Sequence, residues 1–362
     1  ELERVRYEGN AQQSWLNRTA DWFNKVQGVA IAAIASLTGI SMTIRKCVSD
    51  FASMDEAMTD VMKYTGQTKE EVQAMNEEFK RMDTRTAREK LNALAGDAGR
   101  LGITTNEAVK QFVDAADKIN VALVGKYVSL HDAYISVVEA LKHGAVANNA
   151  EVEIKWVDSE LLSDYNVDNF LSDVDGIIVP GGFGDRGIEG MICAIHYARE
   201  HKIPYLGLCL GMQLTIVEFA RNVIGLKDAH SHEFSTSTTN PVIHIMPDKE
   251  GITNLGGTLR LGSYPCILDE NSKALQLYGS KTIEERHRHR YEVNNQYRDV
   301  LQEYGMLLSG FSPDGRIVEM IEIPDHPWFI GTQAHPEFKS RPNKPHPLFK
   351  GFMAAALEYS NK

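Results

Sequence analysis

Proline and histidine are missing from the first third of the chain. No proline occurs in residues 1–118, and the first histidine is His131. Since proline breaks helix interiors, its absence predicts helices throughout residues 1–118, as do apolar residues repeating every three or four positions. T-K-E-E predicts a helix start capped by Thr68 and Glu71. Because Cys47 is the sole thiol there, residues 1–118 are interpreted as an all-α structural or interaction region without catalytic side chains.

Cysteine is scarce in the chain as a whole. No two cysteines form a C-x-x-C pair, and this scarcity argues against a disulfide scaffold and for a reducing compartment. The first ten residues are polar and charged, unlike a secretory signal peptide. We therefore expect a cytoplasmic protein. The four cysteines are Cys47, Cys193, Cys209 and Cys266.

Positive charge is in deficit. The 38 Lys and Arg residues stand against 49 Asp and Glu residues, and the formal net charge is −11. A polyanion partner requires a basic face, so we do not expect the protein to bind nucleic acid.

Long apolar runs are rare, and residues 28–44 are the exception. This stretch carries no charge and is at the short edge for a membrane span. Its many Gly, Ala, Ser and Thr residues make it only modestly hydrophobic. That composition favours a helix packed against other helices, either within the chain or in a homo-oligomer, over a membrane-inserting segment.

From residue 119 onward, apolar runs alternate with amphipathic helical patterns. V-A-L-V-G, D-G-I-I-V-P and P-Y-L-G-L-C have the character of buried strands. This alternation predicts an α/β fold in which helices flank a parallel Rossmann-like sheet. Ligands of such sheets bind at the carboxyl ends of the strands. Both the glycine-rich turn P-G-G-F-G and Cys209 fall at such ends.

Cys209 ends one of these strands in G-L-C-L-G. Gly207 and Gly211 flank it at positions i−2 and i+2, as in the strand–turn–helix elbow that lifts a nucleophile clear of its sheet. The N–H of Leu210 is then placed to bind an oxyanion, and the start of the following helix favours a thiolate. The same residues also fit an inert cysteine buried in a strand, so this motif alone leaves both interpretations open.

A base and an orienting group for this thiol follow near the end of the sequence. An apolar strand pattern leads to His335, and Glu337 comes two residues later. Residues i and i+2 of an extended chain project to the same side, so Glu337 can hold the imidazole while its other nitrogen faces a thiol. A lone histidine is usually structural, but H-x-E at a strand end favours catalysis once Cys209 is considered with it. P-G-G-F-G would supply a second oxyanion donor.

These residues resemble the class I glutamine amidotransferases. G-L-C-L-G-M-Q together with H-P-E is the signature of the triad-type domains of that family, and the finer resemblance is to the glutaminase domain of the CTP synthases. The resemblance covers about residues 119–360. The most specific stretches are V-P-G-G-F-G-D-R-G, G-G-T-L-R-L-G, E-R-H-R-H-R-Y-E-V-N and A-H-P-E-F-K-S-R-P.

The resemblance implies a role for each matching residue. Cys209 is the expected nucleophile, His335 the general base and acid, and Glu337 the group that orients it. Glu233 would read the α-amino group of glutamine, although the chain has S-H-E-F where the family often has S-T-E-F. Gly182 and Leu210 would form the oxyanion hole. The residues expected to contact glutamine are Gly182, Leu210, Gly211, Met212, Gln213, Glu233 and Arg290.

The resemblance also implies how the site is regulated. G-G-T-L-R-L-G, which contains Arg260, and the nearby Phe183 resemble a lid that responds to GTP, so GTP is expected as an allosteric activator. No covalently bound cofactor is expected. No metal is expected either, because the histidines of E-R-H-R-H-R-Y-E alternate with arginines, which would repel a cation.

The implied reaction hydrolyses L-glutamine to glutamate and ammonia for CTP synthesis in pyrimidine biosynthesis. In the family, a separate synthetase domain that binds ATP and UTP consumes the ammonia. No glycine-rich phosphate loop occurs before residue 119, so we expect that domain to be missing and do not expect CTP formation by this chain alone. A synthetase domain or another ammonia acceptor would then be a partner in trans.

Residues 10–122 carry a second and less specific resemblance. F-A-S-M-D-E-A-M-T-D-V-M-K-Y and L-A-G-D-A-G-R-L-G-I-T-T-N-E-A-V resemble the amino-terminal part of phage tail tape measure proteins. The predicted organisation is a fusion of a helical region, residues 1–118, with a glutaminase domain, residues 119–362. Two functions stay open: a glutaminase with a helical appendage, or a phage tail structural protein with an inert amidotransferase passenger.

Overall fold

The computed structural model describes residues 57–79, 91, 95–96, 117–128, 130–245 and 259–361. The chain divides into two compact units, Glu1–Lys63 with Thr68–Ala93 and Tyr64–Gln67 with Leu94–Lys362. The apolar stretch 28–44, Cys47 and most of the residues that resemble phage tail proteins lie outside the described residues. Among the helices that are described, none has the length and apolar character needed to cross a bilayer.

Helices form where they are predicted in residues 57–79, but Asp117 and Lys118, predicted to be helical, begin a strand because they pair with Ala150 and Glu151. Residues 57–65 are helical, and a second helix spans Lys69–Phe79. The predicted capping box is present at the second helix: the Glu71 N–H donates to Thr68 Oγ1, and the Thr68 N–H donates to Glu71 Oε2 over 2.8 Å. Local sequence thus fixes where this helix begins.

Strands and helices alternate through the second unit. The strands are β1 (Asp117–Gly125), β2 (Ala150–Asp158), β3 (Gly176–Val179), β4 (Tyr205–Leu208), β5 (His230–Ser231), β6 (Pro241–Ile245), β7 (Arg260–Leu268), β8 (Thr282–His289), β9 (Tyr291–Val293), β10 (Leu307–Phe311), β11 (Val318–Glu322) and β12 (Phe329–Thr332). The helices are α1 (Ile135–Val146), α2 (Val167–Leu171), α3 (Ile188–Glu200), α4 (Leu210–Phe219), α5 (Lys273–Tyr278), α6 (Arg298–Glu303) and α7 (Pro347–Ser360).

Nine of these strands form one mixed sheet in the order β2-β1-β3-β4-β12-β11-β10-β7-β8. The five strands from β2 to β12 in that order are parallel, so the predicted α/β fold is confirmed. The other four strands extend the sheet in antiparallel fashion. A separate three-stranded sheet has the order β5-β6-β9. Because β4 and β12 are parallel neighbours, the residues that follow them meet at one edge of the sheet.

Helices cover the large sheet on both faces. Along β1, Val121 and Leu123 pack in the same apolar layer as α1 and α7, whereas Ala122 and Val124 pack in the layer of α3 and α4. Successive side chains of a strand project to opposite faces, so a strand between two helical layers must be apolar on both. Burial of each large aliphatic side chain contributes roughly 1.5–3 kcal/mol, which holds the sheet edge in place.

Gly190 shows how closely α3 packs on the loop after β2. A Cβ at Gly190 would overlap the carbonyl oxygen of Ser159. We expect Gly190→Ala to lower the free energy of unfolding by about 3 kcal/mol, because this overlap outweighs the gain of about 1 kcal/mol in helix propensity. Chemical denaturation measures the change. Gly351→Ala in α7 is the control, since its Cβ would meet only the movable side chain of Leu277. An equal or greater loss at Gly351 would show that this packing argument is wrong.

Candidate active site

Cys209 occupies the turn between β4 and α4 in a conformation that side chains rarely adopt. Its backbone has φ +50° and ψ −96°, and its N–H donates to the carbonyl oxygen of Thr332 over 2.7 Å. A Cβ at Gly211 would overlap the carbonyl oxygen of Val179, and a Cβ at Gly207 would lie 2.8 Å from the carbonyl carbon of Gly211. The glycines therefore permit the close strand–helix packing of the elbow that G-L-C-L-G predicts. Strained residues of this kind cluster at functional sites.

His335 follows β12 and begins the turn Pro336–Lys339. Its Nδ1 donates to Glu337 Oε1 over 2.8 Å, and its backbone N–H donates to the carbonyl oxygen of Arg286 over 2.7 Å. Glu337 is buried. A carboxylate held against Nδ1 fixes the ring and its tautomer, so Nε2 is the nitrogen left for chemistry.

Cys209 and His335 lie side by side at the sheet edge. A Cβ at Gly181 would sit 2.8 Å from His335 Cε1 and 3.5 Å from Cys209 Cβ, so both side chains flank this glycine. Burial lowers the pKa of His335, but hydrogen bonds to Cys209 and to Glu337 outweigh burial and raise it to about 10. Glu337 thus holds the imidazole, and Cys209 lies beside it at Gly181. This is the arrangement that a thiol nucleophile requires.

Two buried glutamines complete the surroundings of the sulfur. Gln333 Nε2 lies 3.6 Å from Cys209 Sγ, and the carbonyl oxygen of Arg288 lies 3.9 Å from it. Gln213 Nε2 donates to Gln333 Oε1 over 3.1 Å and to the carbonyl oxygen of Tyr291 over 2.9 Å. Gln213 is therefore positioned to hold Gln333 in place from within the protein.

The first turn of α4 presents its backbone to the site. Leu210 is the first residue of α4, where N–H groups have no acceptor within the helix. The Leu210 side chain comes within 3.5 Å of where a Cβ of Gly182 would lie, so the two predicted oxyanion donors adjoin each other. Met212, in contrast, is fully buried against Gly331. A contact from Met212 to a ligand would have to come through its backbone.

Lys126 is a site residue that the sequence analysis does not single out. It is 3% exposed, and its Nζ donates to the carbonyl oxygens of Phe183 and Gly184 over 3.2 and 2.5 Å. Burial lowers the pKa of Lys126. The lysine shapes the turn around Gly182, because its chain passes 3.4 Å from where a Cβ of that glycine would lie. The available signal was its position at the carboxyl end of β1.

Glu233 and Arg290, both expected to contact glutamine, interact electrostatically. Burial raises the pKa of Glu233, and the positive charges of Arg290 and Lys126 oppose that rise. Glu233 follows β5, and its N–H donates to Ser231 Oγ over 3.2 Å. A carboxylate next to a guanidinium can bind the ammonium and carboxylate of an amino acid, respectively.

Arg260 is bonded within the protein rather than free to cover a ligand, and its side chain is 9% exposed. Its Nη1 donates to Glu319 Oε1 over 2.6 Å, and its guanidinium lies 4.2 Å from the ring centre of Tyr264. It begins β7, whereas residues 256–258 of G-G-T-L-R-L-G lie outside the described residues. Arg260 therefore anchors the end of the predicted lid.

A cavity of about 800 Å³ opens next to the His335 ring. Its cationic lining comes from Arg286, Arg288 and Lys339. The Arg288 guanidinium lies 5.2 Å from the ring centre of Phe183, which is 47% exposed. Positive charge and an exposed aromatic ring thus meet at the rim of the site.

The two sides of β8 differ in exposure and in charge. His287 and His289 are buried, whereas Arg286 and Arg288 are exposed. The alternation in R-H-R-H-R therefore places these two arginines on the face opposite the histidines. Repulsion from these two arginines, the reason for expecting no metal, does not apply at the buried face.

Residues 129–355 match the family described as glutamine amidotransferase class-I. The chain belongs to this family. The match covers more than half of the sequence and includes Cys209, His335 and Glu337.

Curated relatives narrow the type of amidotransferase. The CTP synthase of Clostridium beijerinckii is 57% identical over 252 residues, which are 70% of this chain and 47% of that protein. The CTP synthase of Clostridium perfringens is 60% identical over 237 residues, 66% of this chain and 44% of that protein. The chain spans about half the length of the curated relatives it matches.

A solved structure also indicates an amidotransferase of the CTP synthase type. The glutaminase domain of the Trypanosoma brucei CTP synthase, with bound acivicin, is 39% identical, has a TM-score of 0.63, and is matched over 66% of this chain and 94% of that one. The chain thus carries a glutamine amidotransferase domain of the CTP synthase type, an enzyme domain. These comparisons give no support to the phage tail resemblance of residues 10–122, which stays a prediction.

Proposed function

We propose that the domain hydrolyses L-glutamine to glutamate and ammonia with Cys209 as nucleophile. The observation that carries this proposal is the placement of His335, whose ring is bonded to Glu337 and adjoins Cys209 at Gly181. The relatives support glutamine as the substrate, because the chain belongs to the amidotransferases.

The reaction follows from the order of these three side chains. The Cys209 thiolate attacks the amide carbon of the glutamine side chain, and the N–H groups of Gly182 and Leu210 bind the resulting oxyanion. The His335 imidazolium protonates the amide nitrogen, so ammonia leaves and a thioester forms. The neutral ring then takes a proton from water, whose oxygen attacks the thioester. The tetrahedral intermediate then collapses, its C–S bond breaks and the Cys209 thiolate is expelled, while the imidazolium keeps the proton taken from water. The product acid loses its own proton to solvent and leaves as glutamate, so the thiolate and imidazolium are restored.

We assign recognition of the α-ammonium and α-carboxylate groups of glutamine to Glu233 and Arg290. Glu233 accepts hydrogen bonds from the α-ammonium group of glutamine, and Arg290 binds the α-carboxylate. Lys126 sets the local charge and supports the Gly182 turn through its carbonyl contacts. Gly211, Met212 and Gln213 contribute through the backbone and through support of the sulfur's surroundings.

GTP is the proposed activator, and the cationic cavity supports it. Arg286, Arg288 and Lys339 supply the positive charge that a triphosphate requires, and the exposed Phe183 offers a surface on which a purine can stack. The cavity borders His335, so a nucleotide there would contact the loop that holds the triad. A response of the predicted lid, which contains Arg260, to the bound nucleotide is the proposed mode of activation.

The ammonia acceptor is proposed to lie outside the matched domain. In the CTP synthase relatives, the chain accounts for only 47% and 44% of the whole length. We therefore propose that a synthetase domain outside the matched residues consumes the ammonia, and that CTP formation requires it.

Measurement of glutamate release by the full chain tests the proposal. We expect glutamate and ammonia in equal amounts, faster release with GTP, and a further rise when a CTP synthase synthetase domain is supplied in trans. Folded protein that releases no glutamate under any of these conditions would instead support the inert passenger of a structural protein.

His335 should lose its high pKa when the sulfur is removed. Hydrogen bonds to Cys209 and Glu337 outweigh burial and raise the pKa of His335 to about 10. The wild-type ring is therefore protonated from pH 7 to 9. In Cys209→Ala one of these bonds is lost while burial still acts, so the titration moves to lower pH. NMR of labelled histidine measures the curve, with His335→Gln identifying the resonance. An unchanged midpoint would disprove the coupling between ring and sulfur.

A further inference from the structure

The buried face of β8 meets a carboxylate from β11. His287 and His289 project from β8 to the same side, and Glu319 from β11 reaches them. One ligand atom from each residue lies within 4.8 Å of the others, and all three side chains are at most 2% exposed. Two imidazoles and one carboxylate therefore share one buried pocket of the protein.

These side chains keep polar atoms without partners. Among the residues that the structure describes, His287 Nε2, His289 Nε2 and Glu319 Oε2 are buried and lack any hydrogen-bond partner. Native proteins pair the great majority of such atoms, so three in one place require an explanation. A ligand that accepts lone pairs would satisfy His289 Nε2 and Glu319 Oε2 directly, and His287 would reach the same ligand through its other nitrogen, Nδ1.

The side chains of His289 and Glu319 already make the outer hydrogen bonds that metal ligands usually make. His289 Nδ1 donates to the carbonyl oxygen of Tyr291 over 3.0 Å, which leaves a lone pair on Nε2. Glu319 Oε1 accepts from Arg260 over 2.6 Å, which leaves Oε2 unused. Ligating histidines and carboxylates characteristically have such outer partners. The pocket thus has two oriented ligands and their supports.

We propose that His287, His289 and Glu319 bind a divalent transition metal ion, with zinc as the preferred occupant. Two histidines and one glutamate form a known zinc ligand set that leaves a fourth position open. His287 Nδ1 lies 3.6 Å from Glu319 Oε2. Two ligands of a tetrahedral zinc ion lie about 3.4 Å apart at bond lengths near 2.1 Å, so this pair needs little movement.

The positive charge of Arg260 restricts how a metal ion can bind at this site. Its Nη1 lies 3.5 Å from His287 Nδ1 as well as bonding to Glu319 Oε1. Its charge opposes a cation, so on metal binding Arg260 must give up its contact with His287 Nδ1 and stay on Oε1 while Oε2 binds the metal. An anionic fourth ligand such as hydroxide offsets the remaining charge. His287 also lines the cavity next to His335, which gives zinc a route from solvent.

Zinc binding to the metal-stripped full chain tests the proposal in a Cys209→Ala background. This background removes the proposed nucleophile, so its result does not depend on glutaminase activity; Cys266, which interacts electrostatically with Glu319 and Arg260, stays in the chain. We expect one zinc ion per chain with a Kd below about 1 µM, measured by competition with a chromophoric chelator. X-ray absorption should show nitrogen and oxygen ligands, with imidazole scattering and no sulfur.

Two variants assign the ion to this pocket. Glu319→Gln and His289→Gln should each weaken zinc binding at least about 100-fold, because each removes a direct ligand. His326→Gln is the matched control and should bind like the parent, since both nitrogens of this buried histidine already have partners in Ala198 and Trp328. Circular dichroism checks folding. If His289→Gln does not fold, the near-isosteric Glu319→Gln decides.

Three results would overturn the assignment. One is the absence of zinc binding by the folded parent, which would leave the polar atoms to bound water. Another is unchanged affinity in Glu319→Gln. The third is sulfur among the ligands. None of them bears on glutamine hydrolysis, which a separate assay measures on the wild-type chain.

Discussion

Replacement of Cys209 by alanine is expected to lower glutamate release at least about 10⁴-fold while the fold is retained. No other atom at the sheet edge can form the thioester, so the covalent route is closed. The residual rate comes from the oxyanion donors and from substrate binding. Steady-state release of glutamate measures the loss, and circular dichroism checks the fold.

Cys193→Ala is the matched control for this variant. Cys193 is also buried, but it lies in α3 beside a different cavity, and burial together with the nearby Asp164 raises its pKa to about 12. A thiol held neutral in this way is a poor nucleophile, so its removal should leave the rate within a factor of about 2. Comparable losses in the two variants would exclude Cys209 as the nucleophile.

Glu337→Gln should lower kcat by about 10²- to 10⁴-fold and change KM little. The carboxylate accepts from His335 Nδ1 over 2.8 Å, and its charge helps keep the imidazole protonated. The amide keeps the shape but loses the charge, so the ring is free to adopt the wrong tautomer or to turn. The effect falls on the chemical step because Glu337 does not contact the substrate.

Glu139→Gln serves as the control for Glu337→Gln. Glu139 lies in α1 and pairs with Lys142 over 3.0 Å near the surface, where an ion pair contributes little. Its neutralisation should leave both kcat and KM unchanged. If Glu337→Gln instead raised KM at constant kcat, the residue would bind substrate rather than position His335.

The site could be predicted from the sequence wherever local pattern determines geometry. G-L-C-L-G predicts an elbow because Gly207 and Gly211 are the residues that close strand–helix packing requires, and the structure contains that elbow. H-x-E predicts that the side chains of His335 and Glu337 project to the same side of the chain, and the two side chains are hydrogen-bonded. Both predictions depend on positions within a few residues of one another.

Features that depend on distant pairing were not predictable in the same way. The parallel half of the sheet follows from alternating strands and helices, but the antiparallel extension through β10, β7 and β8 has no such repeating signal. Gly181 and Lys126 enter the site only because β1 and β3 are neighbours. Gln333 contributes because the elbow happens to bring Cys209 Sγ within 3.6 Å of its amide.

The histidines of β8 show how a correct pattern can be misread. R-H-R-H-R reads as a mixture of charges along the chain, whereas a strand separates it into an exposed basic face and a buried imidazole face. Glu319 could not be assigned to the imidazole face from the sequence, since it comes from a strand that is not adjacent to β8 in the sheet. Long-range folding brings this group together.

Covalent labelling of the full chain tests the central claim most directly. The reagent is a glutamine analogue that carries an electrophilic carbon in place of the amide, and peptide mass spectrometry locates the adduct. The account predicts one adduct per chain, on Cys209, which excess glutamine prevents and Glu337→Gln slows. An adduct on Cys193 or Cys266 instead, or folded protein that is not labelled at all, would contradict it.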